Sequence, residues 1–142
     1  MVGKPRIFTS SWFTELPADH LRVGISRGTP RGMPAGYRRY MKLAPGSWFN
    51  SVSPQEYQKR FQAEMLDRLD PERVVRELVD IADGKVPVLV CYEAPDKPEW
   101  CHRGLVSLWL KQTIDLDVYE LGFEQCGCGR SHPKLHGTQV PP

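Results

Sequence analysis

The chain has 142 residues, 40% of them apolar and 25% charged, with a formal net charge of +2. That length suits one domain with a real core, and so small a net charge does not by itself call for a nucleic-acid or membrane partner. No apolar run approaches the roughly 20 residues needed to span a bilayer. The start, Met1-Val-Gly-Lys-Pro-Arg6, lacks the apolar core of a signal peptide, so the expected location is the cytoplasm. Without a secretion signal, the four cysteines are expected as free thiols or metal ligands rather than disulfides. There is no internal repeat and no low-complexity tract.

In chain order, Arg6–Phe13 and Leu21–Ser26 are β-prone and are read as strands. The connection between them, Thr14 to His20, is short. Parallel pairing of neighbours needs a crossover of a dozen or more residues, so these two strands form either a hairpin or non-adjacent members of a parallel sheet. From Gly28 to Val52 no period emerges, and Gly and Pro recur. A loop this long within a small domain is often functional. Between Asp19 and Glu56 there is no acidic residue, while Arg22, Arg27, Arg31, Arg38, Arg39 and Lys42 fall in the interval with Tyr37, Tyr40, Trp48 and Phe49. Arginine suits phosphate and carboxylate through its bidentate fork. The same composition also describes a solvated basic loop whose charges pair with acids elsewhere.

Two helices follow. Ser53-Pro-Gln-Glu56 is a capping box with proline at the first helical position, and Tyr57, Phe61, Met65, Leu66 and Leu69 then share a helical face. Asp70-Pro-Glu72 opens the second helix in the same way. Its core face is expected at Val74, Val75, Leu78 and Val79, with Gly84 as the residue just past the end. Val88–Tyr92 is apolar on both faces, as a covered central strand should be. Leu105, Val106, Leu108 and Trp109 mark a third helix, and Asp117–Gly122 a last strand. Strand, helix, strand is the right-handed crossover of an α/β fold. The fold expected is therefore a small three-layer α/β domain over residues 1–125, with a mostly parallel central sheet flanked by helices. Residues 126–142 form a Gly-, His- and Cys-containing C-terminal segment.

The turn after the central strand concentrates the chemistry. Ligands in open α/β sheets bind outside the carboxyl ends of strands. Here Tyr92 and Glu93 end a strand, and Cys101-His102-Arg103 begin a helix. A helix start lowers thiol pKa values and attracts anions, so Cys101 is a candidate nucleophile, or else a small buried residue. Neighbours on a helix do not face each other, so His102 acts on Cys101 only if the turn is not yet helical; otherwise it is a structural, hydrogen-bonded histidine. Glu93 is a candidate general base. Arg103 either binds an anion or pairs with Glu93 or another acid. A cysteine-phosphatase loop needs an arginine six positions past the thiol, and position 107 is serine. A rhodanese-like site needs a wide amide loop after the thiol, where this chain runs into helix.

Near the C-terminus, Cys126, Cys128, His132 and His136 form C-x-C-x3-H-x3-H, a soft donor set suited to zinc although without the usual C-x2-C spacing. The other reading is a tail that happens to carry these residues.

Val23-Gly-Ile-Ser-Arg-Gly28, Lys42-Leu-Ala-Pro45, Val88-Leu-Val-Cys-Tyr-Glu93, Trp100-Cys-His-Arg103 and Ser131-His-Pro-Lys134 together resemble the bacterial and phage family catalogued as domain of unknown function 488. The resemblance covers most of the chain. It implies a small three-layer α/β domain in which Cys101, His102 and Arg103 line one pocket with the strand end Ser26-Arg27. It implies no particular reaction. The Cys126 and Cys128 pair is not a general feature of that family.

These readings point to a pocket for a small anionic, nucleotide-like molecule. Ser26, Arg27, Arg31, Tyr92 and Arg103 are the expected ligand-binding residues, with Trp12, Trp48 or Tyr92 stacking a ring. Cys101, His102 and Glu93 are the candidates for catalysis, if the protein is a thiol-dependent enzyme rather than a sensor or sponge. The alternative is a nucleic-acid-binding module built on the basic, aromatic segment 22–49.

Overall fold

The computed structural model describes residues 5–92 and 101–122. Among these residues five strands, β1 (Phe8–Ser11), β2 (His20–Gly24), β3 (Arg38–Arg39), β4 (Val86–Cys91) and β5 (Tyr119–Glu120), form one sheet in the order β3-β2-β4-β1-β5. Every neighbouring pair is parallel. With helices α1 (Pro54–Arg60), α2 (Pro71–Ala82) and α3 (His102–Ile114), this is the expected α/β class. No helix among the described residues is long and apolar enough to cross a membrane.

The first two strands are parallel but not neighbours. β4 lies between them, pairing Ser10 with Val90 on one side and Gly24 with Val90 on the other. Residues 12–19 are too few for a crossover helix, so they step across the slot that β4 fills. Arg22 pins that connection: its Nε donates to the Trp12 carbonyl at 2.8 Å and its Nη2 to the Thr14 carbonyl.

β4 is buried from Pro87 to Cys91 and divides the core. Leu89 joins Ile7, Val23, Ile25 and Val118 on the face that receives the helices. Val88 and Val90 join Phe8 and Trp12 on the other. Among the described residues that second face is covered by connecting segments, through Leu16, Met33 and Tyr37, so loops rather than helices make the layer there. Trp12 is fully buried in it, edge-on to Tyr37, with its indole N–H donated to Ser26 Oγ at 2.9 Å. It is a core residue and has no face to offer a ligand, contrary to expectation.

The region without a period is built from single anchors. Arg38–Arg39 adds a short edge strand beside β2, and a 3-10 turn at Met41–Leu43 buries Leu43 beside the buried Tyr40. The Tyr40 hydroxyl, Lys42 and Arg73 all donate to the Glu77 carboxylate. These bonds, the tyrosine's first, hold Glu77 down at about 2.

The helix signals are met with two differences. Ser53 Oγ accepts the Glu56 N–H at 3.1 Å, and Asp70 Oδ1 accepts the Glu72 N–H at 3.1 Å. The first helix does not run evenly to Leu69, however. It passes into a π turn at Phe61–Met65 and a 3-10 turn at Leu66–Arg68, still burying Tyr57, Phe61 and Leu66. In α2 the buried stripe is Val74, Val75, Leu78 and Ala82. Val79, expected in the core, is 41% exposed, because the stripe closes through Ala82 one turn on. Asp83 and Gly84 end the helix at φ 51° and 90°, where glycine is at ease.

Gly24 lies directly against Trp12, since a Cβ there would fall inside the indole ring. Gly24→Ala should therefore destabilise the fold by about 1–3 kcal/mol through overpacking. Urea denaturation should show this as a lower midpoint with an unchanged slope.

Candidate functional site

The ends of β2 and β4 lie side by side, and pairing continues one residue further where the Ile25 N–H donates to the Val90 carbonyl at 3.0 Å. Beyond this edge opens a cleft of about 550 Å3. Of the expected site residues it brings together Ser26, Arg27, Tyr92, Cys101 and His102. Phe49, Tyr57 and Cys91 line it as well. Arg31 is exposed and does not border it. Glu93 and the Cys126, Cys128, His132 and His136 cluster lie outside the described residues.

Cys101 is the N-cap of α3, with extended backbone at φ −146° and ψ 149°. Helical geometry begins only at His102, which meets the condition for the two side chains to face each other. His102 Nδ1 stands 3.8 Å from Cys101 Sγ. The other ring nitrogen is 2.7 Å from the Ile25 carbonyl oxygen. A carbonyl only accepts, so the neutral ring carries its proton on Nε2 and turns the Nδ1 lone pair toward the sulfur. Burial holds the imidazole down at about 4; the Ile25 bond opposes this, and the Arg103 charge adds to it. The ring packs edge-on against Phe61, with centroids 5.4 Å apart.

Cys101 is joined to Cys91 by a disulfide, where free thiols or metal ligands were expected. The fold brings the last residue of β4 and the cap of α3 to one edge of the sheet. Nothing local to either cysteine in the sequence indicates this.

Arg103 is fully buried and is not part of the cleft wall. Of its two expected fates, the structure has the ion pair, with Glu120 as the acid. Nε and Nη2 donate to Glu120 Oε1 and Oε2 at 3.2 and 2.9 Å, and Nη1 reaches Cys91 Sγ at 3.1 Å. Thr9 Oγ1 also donates to Glu120, at 2.6 Å. Cys91, Glu120 and Thr9 were not singled out from the sequence. The available signal was an acid placed inside the short strand Asp117–Gly122, which must find a partner if it is buried.

At the cleft mouth, Arg27 donates from Nη1 to the Pro45 carbonyl at 3.2 Å, and its own carbonyl accepts from Arg39. The Ser26 hydroxyl donates to the Gly28 carbonyl at 2.6 Å and accepts from Trp12. Phe49 and Tyr92 present exposed ring surface, at 41% and 42%. Trp48 packs edge-on against Tyr57 and bonds to Glu64; Tyr57 takes the wall position instead.

A parallel sheet with a cysteine pair, a neutral histidine and a buried Arg–Glu clamp at its carboxyl edge defines an α/β domain with a Cys–His site. Residues 9–114 match the family described as the active DUF488-N3 subclade, and the chain belongs to that family. The match includes Cys91, Cys101, His102 and Arg103 and ends before Glu120. No curated protein and no solved structure matches the chain.

Two outcomes follow from these buried charges. Glu120→Gln leaves Arg103 without its counter-charge and should cost about 3–5 kcal/mol in urea denaturation. Arg103→Met combined with Glu120→Leu should recover most of that loss. The His102 ring binds a proton near 6.5 when unfolded and only near 4 when folded. The unfolded chain therefore holds more protons between those values, and stability falls as pH drops through 6.5 toward 4. The loss is on the order of a few kcal/mol. His102→Gln, which keeps a donor for Ile25, should show a shallower decline over that window when urea midpoints are compared.

Proposed function

We propose that the cleft binds a small anionic, nucleotide-like molecule, and that Cys101 supplies thiol-dependent chemistry when reduced. The observation that carries this reading is the composition of a single cleft, with a guanidinium at its mouth, aromatic surface on its walls and a sulfur beside a neutral imidazole at its base. Arg27 suits a phosphate or carboxylate. Phe49 and Tyr92 suit a planar ring. The first turn of α3 holds no acidic side chain, which keeps the helix dipole favourable to an anion or a thiolate. With its lone pair toward Sγ, the His102 ring is oriented to take the thiol proton of reduced Cys101, the adjacent thiolate charge then offsetting the burial that keeps the ring neutral beside the disulfide, and that thiolate is the nucleophile.

The segment 22–49 gives less support to a nucleic-acid module than its composition implies. The Arg22 guanidinium is engaged by backbone carbonyls, Lys42 is paired with Glu77, and Trp12 is buried.

Calorimetric titration of the full chain with a panel of mononucleotides should find saturable 1:1 binding that weakens by about tenfold or more in Arg27→Ala, as loss of a charge-assisted contact requires. Absence of saturable binding across the panel would sink the ligand reading. Binding to DNA that falls steeply with salt, with no mononucleotide binding, would replace it by the nucleic-acid one. For the chemistry, reduced Cys101 should alkylate at pH 6.5 faster than free cysteine and lose that advantage in His102→Gln. Equal rates in the two proteins would leave binding alone.

A further inference from the structure

We propose that the reduced protein holds a thiophilic divalent metal ion, zinc in the first instance, on Cys91, Cys101 and His102, with the fourth position open to the cleft. A sulfur from each cysteine and a ring nitrogen from the histidine lie within 4.8 Å of one another, and all three residues are buried. Two thiolates and one neutral imidazole are a zinc donor set, and three protein ligands with an open fourth position are the pattern of catalytic rather than structural sites. The ligands of this site are different residues from Cys126, Cys128, His132 and His136.

Three further features fit a metal. The free donor is Nδ1, on the side of Cys101 Sγ, while Nε2–H is held by the Ile25 carbonyl; such an outer partner fixes the tautomer and aim of a ligating histidine. Arg103, clamped by Glu120, donates to Cys91 Sγ at 3.1 Å, which favours the thiolate form. The Cα atoms of the two cysteines stand 7.6 Å apart, beyond the usual disulfide spacing of about 4.4–6.8 Å. That separation lets two thiolates open out around one ion.

Disulfide and metal then exclude each other. A dithiol reductant gives two electrons and two protons to the Cys91–Cys101 bond and is itself oxidised to a disulfide. The two thiols formed lose their protons to solvent as the ion binds, and His102 contributes a lone pair without releasing a proton. Exchange with the disulfide form of that dithiol, which takes up the two electrons and two protons, reverses both steps and expels the ion. The inference is independent of any organic ligand, because metal binding is measured with none present.

The test uses the full chain, reduced with a phosphine and titrated with cobalt(II). One equivalent should produce the visible bands of tetrahedral cobalt and thiolate charge-transfer absorption. These should be absent from the oxidised protein, lost in Cys91→Ser and Cys101→Ser, moved to higher cobalt in His102→Gln, and retained when Cys126 and Cys128 are both changed to serine. A readout that needs no variant is alkylation followed by peptide mapping of the reduced wild type. Zinc should slow labelling of both Cys91 and Cys101. Equal labelling of these two with and without zinc, or cobalt bands that survive in Cys91→Ser and Cys101→Ser, would overturn the proposal.

Discussion

The carboxyl edge of this sheet depends on one buried ion pair. Arg103 and Glu120 have no exposed side-chain surface, and two isolated charges at such depth would each cost several kcal/mol. The pair is tolerable because its hydrogen bonding is dense. The carboxylate receives two guanidinium nitrogens and the Thr9 hydroxyl, and the third guanidinium nitrogen is turned to the Cys91 sulfur. One network thereby ties the first turn of α3 to β5, β1 and β4. It fixes the rotation of the helix start, and with it the direction in which Cys101 and His102 point.

From that anchored start the rest of the edge follows. The extended backbone at Cys101 swings its sulfur toward both His102 and Cys91. The Ile25 carbonyl, at the end of a strand paired with β4, orients the imidazole. Packing on Phe61 closes the ring's other side, so the π turn that breaks the regularity of the helix after Arg60 also supplies a wall of the histidine site. The neutral state of His102 is a consequence of this enclosure.

What could be read in the sequence was local. The caps at Ser53 and Asp70, the buried strand ending at Tyr92 and the helix beginning beside Cys101 each follow from a few adjacent residues and short-range geometry. Strand ends and a family resemblance together led to a pocket lined by Ser26, Arg27, Arg31, Tyr92, Cys101, His102 and Arg103; all but Arg31 and Arg103 border the cleft. What escaped was non-local. Cys91 looks like one more small residue in an apolar run, and Glu120 like one more charge near a chain end; each acquires meaning only when Arg103 arrives from another element. Trp12 reads as a candidate stacking surface until the connection 12–19 folds it under the sheet. The strand at Arg38–Arg39 is too short to show any period and exists because β2 offers an open edge.

The position of β4 in the sheet also constrains how the chain is made. β1 and β2 emerge first during synthesis, yet neither pairs with the other, and the partner they share is not complete until residue 91. The N-terminal strands must therefore wait, exposing apolar faces, while some sixty residues of loop and helix are added. Long-range parallel pairing of this kind is slow and prone to misassociation. The polar and buried serines of β1, Ser10 and Ser11, and the charged residues flanking β2 temper the stickiness of these waiting strands. Among the described strands, β4 is the one whose pairing sets the register of both β1 and β2, so the two waiting strands depend on the same late segment.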